Sequence, residues 1–173
     1  NKRCGVLVQG DKTGDTPLIE LVKKYIKHKY SKRGNVFLGL VNRVDRPVSG
    51  IVIFAKTSKA LSRMNDKLKN RQIRKFYWLF ISNKFKSNKG SLEGLFKKNK
   101  KIKKSFFYKE EINNSKYGSL NYRMIKKLEN YFKIGVDLIT GRHHQIRCSF
   151  SEIGFPIVGD IKYGSKRTNK EGG

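Results

Sequence analysis

Asp45 is one of 13 acidic residues among 40 lysines and arginines, and it stands between Arg43 and Arg46 in "VNRVDRPVSGIVIFAK" (41–56). In extended backbone Arg43 and Asp45 share a face, and a guanidinium beside a carboxylate favours its ionised form. An ionised, partly desolvated carboxylate can act as nucleophile or base; the same residues can equally form a turn salt bridge. Tyr77, in "RKFYWLF", can stack on an unpaired base and hydrogen-bond through its hydroxyl, or it can be an ordinary core aromatic. Arg147, in "GRHHQIR", can pair with Asp45, contact a phosphate, or be plain basic surface. His143 and His144 are adjacent, so their side chains are expected to diverge and not to share a metal. No HExxH, paired CxxC, GxxxxGK[ST] or GxSxG pattern occurs, which argues against metal catalysis, nucleotide hydrolysis and a serine elbow.

The elements around these residues can be read from periodicity. Thr16 is expected to cap a helix opened by Pro17, with Leu18, Leu21, Val22, Tyr25 and Ile26 on one face. Residues 36–41 and 50–56 read as two strands joined through Asp45, and Ser58 as the cap of a following helix. Residues 73–82 are β-branched and aromatic enough for another strand. The Lys-, Gly-, Asn- and Ser-rich stretch 83–104 reads as mobile loop or short hairpin. Phe132, Ile134, Val136 and Leu138 alternate as in a half-buried antiparallel strand. After Gly141, Ile146, Phe150 and Ile153 fit a short helix stopped by Gly154 and Pro156. "GRHHQIR" then lies at a strand-to-helix junction, where free N–H groups and a helix dipole can meet a phosphate. The class is α+β, a mixed, mostly antiparallel sheet flanked by helices and loops.

A formal charge of +27 favours a polyanionic partner, most simply RNA or DNA, over a neutral one. The length of 173 residues suits a single domain with a proper core. There is no apolar run of about 18 residues for a membrane span. Cys4 and Cys148 fit no metal spacing and read as reduced thiols of a cytoplasmic protein.

Three long segments, in order, resemble the RluA-type pseudouridine synthase family. "NRVDRPVSGIVIFAK" is similar to its signature H-R-L-D-x-x-T-S-G-L-L-L-F-A-K, and "RKFYWLFIS" to its K-x-Y motif. "GRHHQIRCSFSEIGFPIVGDIKYG" is similar to G-R-T-H-Q-I-R-V-H-L-x-x-I-G-x-P-I-x-G-D-x-x-Y-G, and the opening "NKRCGVLVQGDKTGD" to N-K-P-x-G-L-x-V. The resemblance implies one pseudouridine synthase catalytic domain over 1–173, without the N-terminal S4-type domain of many members. It implies isomerisation of a uridine in ribosomal or transfer RNA, with no cofactor, no metal and no obligatory protein partner, in a monomer. Asp45 is then the catalytic carboxylate, Tyr77 packs on the target base, and Arg147 pairs with Asp45. Arg43, Arg142, His144 and Gln145 would bind RNA. Asn42, Val48 and His143 depart from the usual His, Thr and Thr. The competing readings are an inactive RNA-binding relative and a ribosome-associated RNA-binding protein.

Overall fold

The computed structural model describes residues 1–83 and 87–169, and the chain forms two compact units, 1–73 and 74–169. In the first unit, helix α1 (Leu18–Lys29) precedes a two-residue antiparallel ladder of β1 (Gly39–Leu40) and β2 (Phe54–Ala55), then helix α2 (Ser58–Lys69). Both predicted strands are thus real but shorter than expected. Part of the pairing passes to a side chain: the Asn42 amide donates to Ile51 O at 3.0 Å, and its Oδ1 accepts the Ile53 N–H at 2.8 Å.

Both expected caps shift. Pro17 occupies the N-cap of α1, and Thr16 plays no capping part. In α2 the cap is Thr57, whose Oγ1 accepts the Ala60 N–H at 3.1 Å. Thr57 is extended, as an N-cap requires, whereas Ser58 is already helical. Of the predicted α1 face only Ile26 is buried, while Leu21 and Tyr25 are exposed.

The second unit is a five-stranded sheet in the order β3-β7-β6-β4-β5, with every pair antiparallel. Its strands are β3 (Phe76–Ile81), β4 (Lys89–Asn99), β5 (Lys104–Tyr108), β6 (Lys116–Lys127) and β7 (Phe132–Leu138). No parallel pair occurs among the described residues, so the sheet is simpler than the mixed one expected. Of the two readings of the Lys-rich stretch, loop or short hairpin, the structure takes the hairpin: half of the stretch is β4, paired to both β5 and β6, and residues 84–86 lie outside the described residues. Its lysines mask an alternation in which Leu92, Gly94 and Phe96 face inward. A side chain at Gly94 would collide with the Phe107 ring, which could then not keep its place over the strand.

The alternation along β7 is as read: Ile134, Val136 and Leu138 are buried with Leu79, Ile81 and Leu120. Helix α3 (Gln145–Glu152) lies on this inner face, with Phe150 in the main cluster and Cys148 beside Phe96 and Tyr163. Gly154 ends it at φ +82°, the left-handed position where glycine is unstrained. A single 3₁₀ turn, Ile161–Tyr163, follows.

Candidate active site

Asp45 is half-buried and opens a turn closed by Val48 N–H to Asp45 O at 3.0 Å. The two flanking guanidinium groups go elsewhere. Arg46 donates to Gly5 O at 3.0 Å and pairs with Asp15 at 2.7 Å. Arg43 reaches Gln9 at 3.5 Å. Through these contacts the arginines engage Gly5, Gln9 and Asp15. They tie the turn to the N-terminal segment.

Lys2 does more of that work, and the sequence reading passed over it. Only 2% exposed, it donates from Nζ to Arg3 O, Val6 O and Arg46 O at 3.0, 2.9 and 3.1 Å. Its backbone pairs with Gly50 in both directions, and Gly5 N–H donates to Arg46 O at 2.9 Å. Burial lowers the pKa of this ammonium, with the Cys4 thiol and the Asp45 carboxylate pulling it back up. A buried cation thus supports the Asp45 turn from beneath. Lysine as the second residue of the "NK" opening was the available signal, but a lone Lys in a chain with this charge does not stand out.

In the second unit Tyr77 lies on the inner face of β3, opposite Val136, and packs half-buried against the core cluster. The core reading and the site reading of Tyr77 are both compatible with that position. Arg147 sits in the first turn of α3. Its Nε and Nη2 meet both carboxylate oxygens of Asp160 at 2.7 and 2.8 Å, and its guanidinium lies 4.9 Å from the Tyr163 ring centroid. The "GDIKY" segment is thereby explained: its acid and its tyrosine form the mount of Arg147. A bidentate, mostly desolvated pair of this kind holds the guanidinium plane in one orientation.

Around the mount, polar groups are linked in a chain. Tyr163 Oη accepts the Ser105 N–H at 2.8 Å and lies 3.0 Å from His144 Nδ1. Ser105 Oγ donates to His143 O at 2.6 Å and lies 2.8 Å from His143 Nδ1. The two imidazoles do not diverge as expected; their rings stack at 3.8 Å, because His144 is left-handed at φ +52° and turns back over its neighbour. Burial pushes the Tyr163 hydroxyl up to about 12 and the Cys148 thiol up to about 11, so both stay protonated near neutrality.

Gln145 is 2% exposed, and its amide is spent inside the protein. Oε1 accepts from Thr140 Oγ1 at 2.7 Å and from Arg142 N–H at 2.9 Å, while Nε2 donates to Ser119 O at 3.0 Å. It fixes the loop that carries Arg142, whose own Nε donates to Tyr117 O at 2.7 Å. Beside this loop opens a cleft of about 700 Å³ lined by Lys97, Lys98, Lys100, Lys116, Arg142 and His143. Five cations and a histidine around one cleft suit phosphate groups. Lysines 97, 98 and 100 come from the Lys-rich stretch 83–104.

The structure thus places Arg43 and Asp45 in the first unit, and Tyr77, Arg142, His144, Gln145 and Arg147 in the second. Comparison with known proteins adds a family match: residues 1–152 fit the model described as RNA pseudouridylate synthase. An "Uncharacterized RNA pseudouridine synthase" of Aquifex aeolicus is 29% identical over 97% of this chain and 53% of its own length. A "Ribosomal large subunit pseudouridine synthase C" of Rickettsia felis is 31% identical over 96% of the chain and 52% of its own. The chain therefore spans about half the length of these curated relatives. The solved structure of human RNA Pseudouridylate Synthase Domain Containing 4 superposes with a TM-score of 0.77, at 19% identity, over 96% of this chain and 65% of that one.

Proposed function

As the chain belongs to the RNA pseudouridylate synthase family, we propose that it converts a specific uridine within RNA to pseudouridine, with Asp45 as the catalytic carboxylate. The observation that carries the reading is the family match itself, which runs through both the Asp45 turn and the Arg147 helix. The N1–C1′ glycosidic bond breaks, the uracil turns, and a C5–C1′ bond forms. The proton lost from C5 balances the one gained at N1, so the reaction is redox-neutral and consumes nothing else. Asp45 serves either as nucleophile, toward the sugar C1′ or the uracil ring, or as the base that takes a sugar proton to give a glycal.

The remaining roles follow from side-chain chemistry. Tyr77 is the ring against the turning base, and Arg147, held in plane by Asp160, is the cation that pairs with Asp45. Arg43, Arg142 and His144 contact the RNA, and Gln145 contributes by holding the Arg142 backbone. The target base has to leave its stack, and the lysine-lined cleft supplies charge for the flanking phosphates. Both units belong to this one catalytic domain, which acts in the cytoplasm. No described helix is long and apolar enough to cross a membrane.

Ribosomal RNA of the large subunit is the favoured substrate, because relatives from Rickettsia felis and Borreliella burgdorferi carry that substrate in their names. Transfer RNA is the second. The test is to incubate the chain with unmodified ribosomal and transfer RNA in parallel and map pseudouridine by position. Product at a defined uridine in one RNA supports the reading and identifies the substrate. Salt-sensitive binding of both RNAs without product favours a non-catalytic RNA-binding relative.

A further inference from the structure

The sheet of the second unit has an outer face that this reading leaves unused. Alternation along β3 turns Tyr77, Leu79 and Ile81 inward and Phe76, Trp78 and Phe80 outward. The outward three are 61%, 71% and 40% exposed, an unusual aromatic run for a solvated face. Successive rings are about 6.6 Å apart along the strand. Gly135, directly opposite Trp78, brings no side chain to that row, and Ile125 occupies the space over it.

Cations alternate with the rings. Lys133 Nζ stands 3.5 Å from the Trp78 centroid, and the Arg74 guanidinium 4.6 Å from that of Phe76. Arg123 follows on β6, opposite Gly135, and Lys89 on β4, opposite Arg123. The acids on this face are already engaged: Asp137 pairs with Arg74 at 2.8 Å, and Glu93 accepts from Tyr117 Oη at 2.7 Å.

We propose that this outer face is a second RNA surface, on which unpaired bases stack against Phe76 and Trp78 while Lys133, Arg123 and Lys89 hold the phosphates. It lies on the side of the sheet opposite Tyr77 and α3, so it grips RNA flanking the target and not the target uridine. Exposed rings interleaved with cations on a sheet are the arrangement by which a protein takes single strands, since every base offers a π-face. Stacking with a base is stronger than an exposed ammonium–ring contact, so the base displaces Lys133, whose ammonium then reaches the adjoining phosphate. The excess of positive charge favours a polyanion over an apolar protein partner. The inference rests on the synthase reading only in taking RNA as that polyanion.

Trp78 is the single tryptophan of the chain, so its fluorescence reports on this face alone. The full chain is titrated with single-stranded oligouridylate of about ten nucleotides, a length typical of one stacking platform. The expected result is quenching of Trp78 that weakens as salt is raised, and that duplex RNA of equal length does not reproduce. Phe76→Ala and Lys133→Glu, which both keep the reporter, should each weaken the quenching isotherm about tenfold. Asp45→Asn should leave it intact. Binding of a labelled oligonucleotide with Trp78 unmoved, and with both variants within twofold of wild type, overturns the proposal. So does a concentration-dependent shift of Trp78 emission without RNA that tracks a dimer in sedimentation, which assigns the face to a second copy. Pseudouridine formed without quenching refutes this surface and leaves the synthase reading standing. Quenching without any pseudouridine does the reverse.

Discussion

Replacing Asp160 by Asn isolates the Arg147 mount. The side chain keeps its size but loses its charge and one of its two acceptor oxygens, so the bonds at 2.7 and 2.8 Å cannot both persist as charge-assisted contacts. Arg147 is 18% exposed and Asp160 9%, so water restores little of what is lost. Removing one partner of a mostly buried pair costs about 3–5 kcal/mol when the pair is fully dry. The Tyr163 ring and the remaining amide oxygen retain part of this, which brings the expected loss to about 2–3 kcal/mol. For a chain of this size that lowers the unfolding midpoint by roughly 4–12 °C. Thermal unfolding followed by circular dichroism reads it directly, and raising salt should change the difference little, since a desolvated pair is weakly screened. A variant within about 1 °C of wild type refutes the role of Asp160 in holding the Arg147 guanidinium.

Other consequences are independent of that pair. Lys2→Met takes the ammonium from the carbonyls of Arg3, Val6 and Arg46, of which Arg46 O keeps the Gly5 N–H; it should cost about 2 kcal/mol and speed hydrogen exchange at the Gly5 and Val48 amides, which measures loosening of the Asp45 turn. Cys148 and Tyr163 have folded pKa values near 11 and 12, above their ordinary 9.0 and 10.0. Between about pH 9 and 12 the folded state therefore binds more protons than the unfolded one, and stability falls as pH rises. Denaturant midpoints across that range should decline, and Cys148→Ala should flatten the lower part of the decline. Ser149 Oγ is buried without a hydrogen-bond partner among the described residues, so Ser149→Ala should be neutral or raise the midpoint slightly. A clear loss of stability there contradicts that description of the hydroxyl.

The parts of the fold that could be read in advance are those where one signal dominates. The alternation of β7 and the periodic α3 with its glycine stop survive because Ile134, Val136 and Phe150 all go to one core. Where two adjacent residues offer the same chemistry, as Thr57 and Ser58 do, only the backbone angles choose the cap. Along 83–104 loop and short hairpin stayed open together because polar and basic residues outweighed the inward Leu92 and Phe96, and the structure takes the hairpin, with strands longer than the composition suggests. In the site, the motif segments show where Asp45, Tyr77 and Arg147 stand, and the geometry adds what supports them. Asp160 and Tyr163 were within the quoted signature, yet their service to Arg147 depends on a turn that brings residue 160 back to 147. Gln145 reads in sequence as a polar residue beside RNA, but the Thr140, Arg142 and Ser119 contacts that bury it are formed by the sheet. The stacked His143 and His144 depend on one left-handed backbone angle that residue types do not announce.

The most direct test compares wild type with Asp45→Asn on the RNA that acquires pseudouridine, measuring product at the target uridine in a single turnover alongside RNA affinity. The variant should bind RNA as tightly as wild type while product formation falls by at least about 10²-fold, the scale expected when an acid–base or nucleophilic group is removed. A variant that forms pseudouridine at an undiminished rate contradicts the assignment of Asp45 as the catalytic carboxylate.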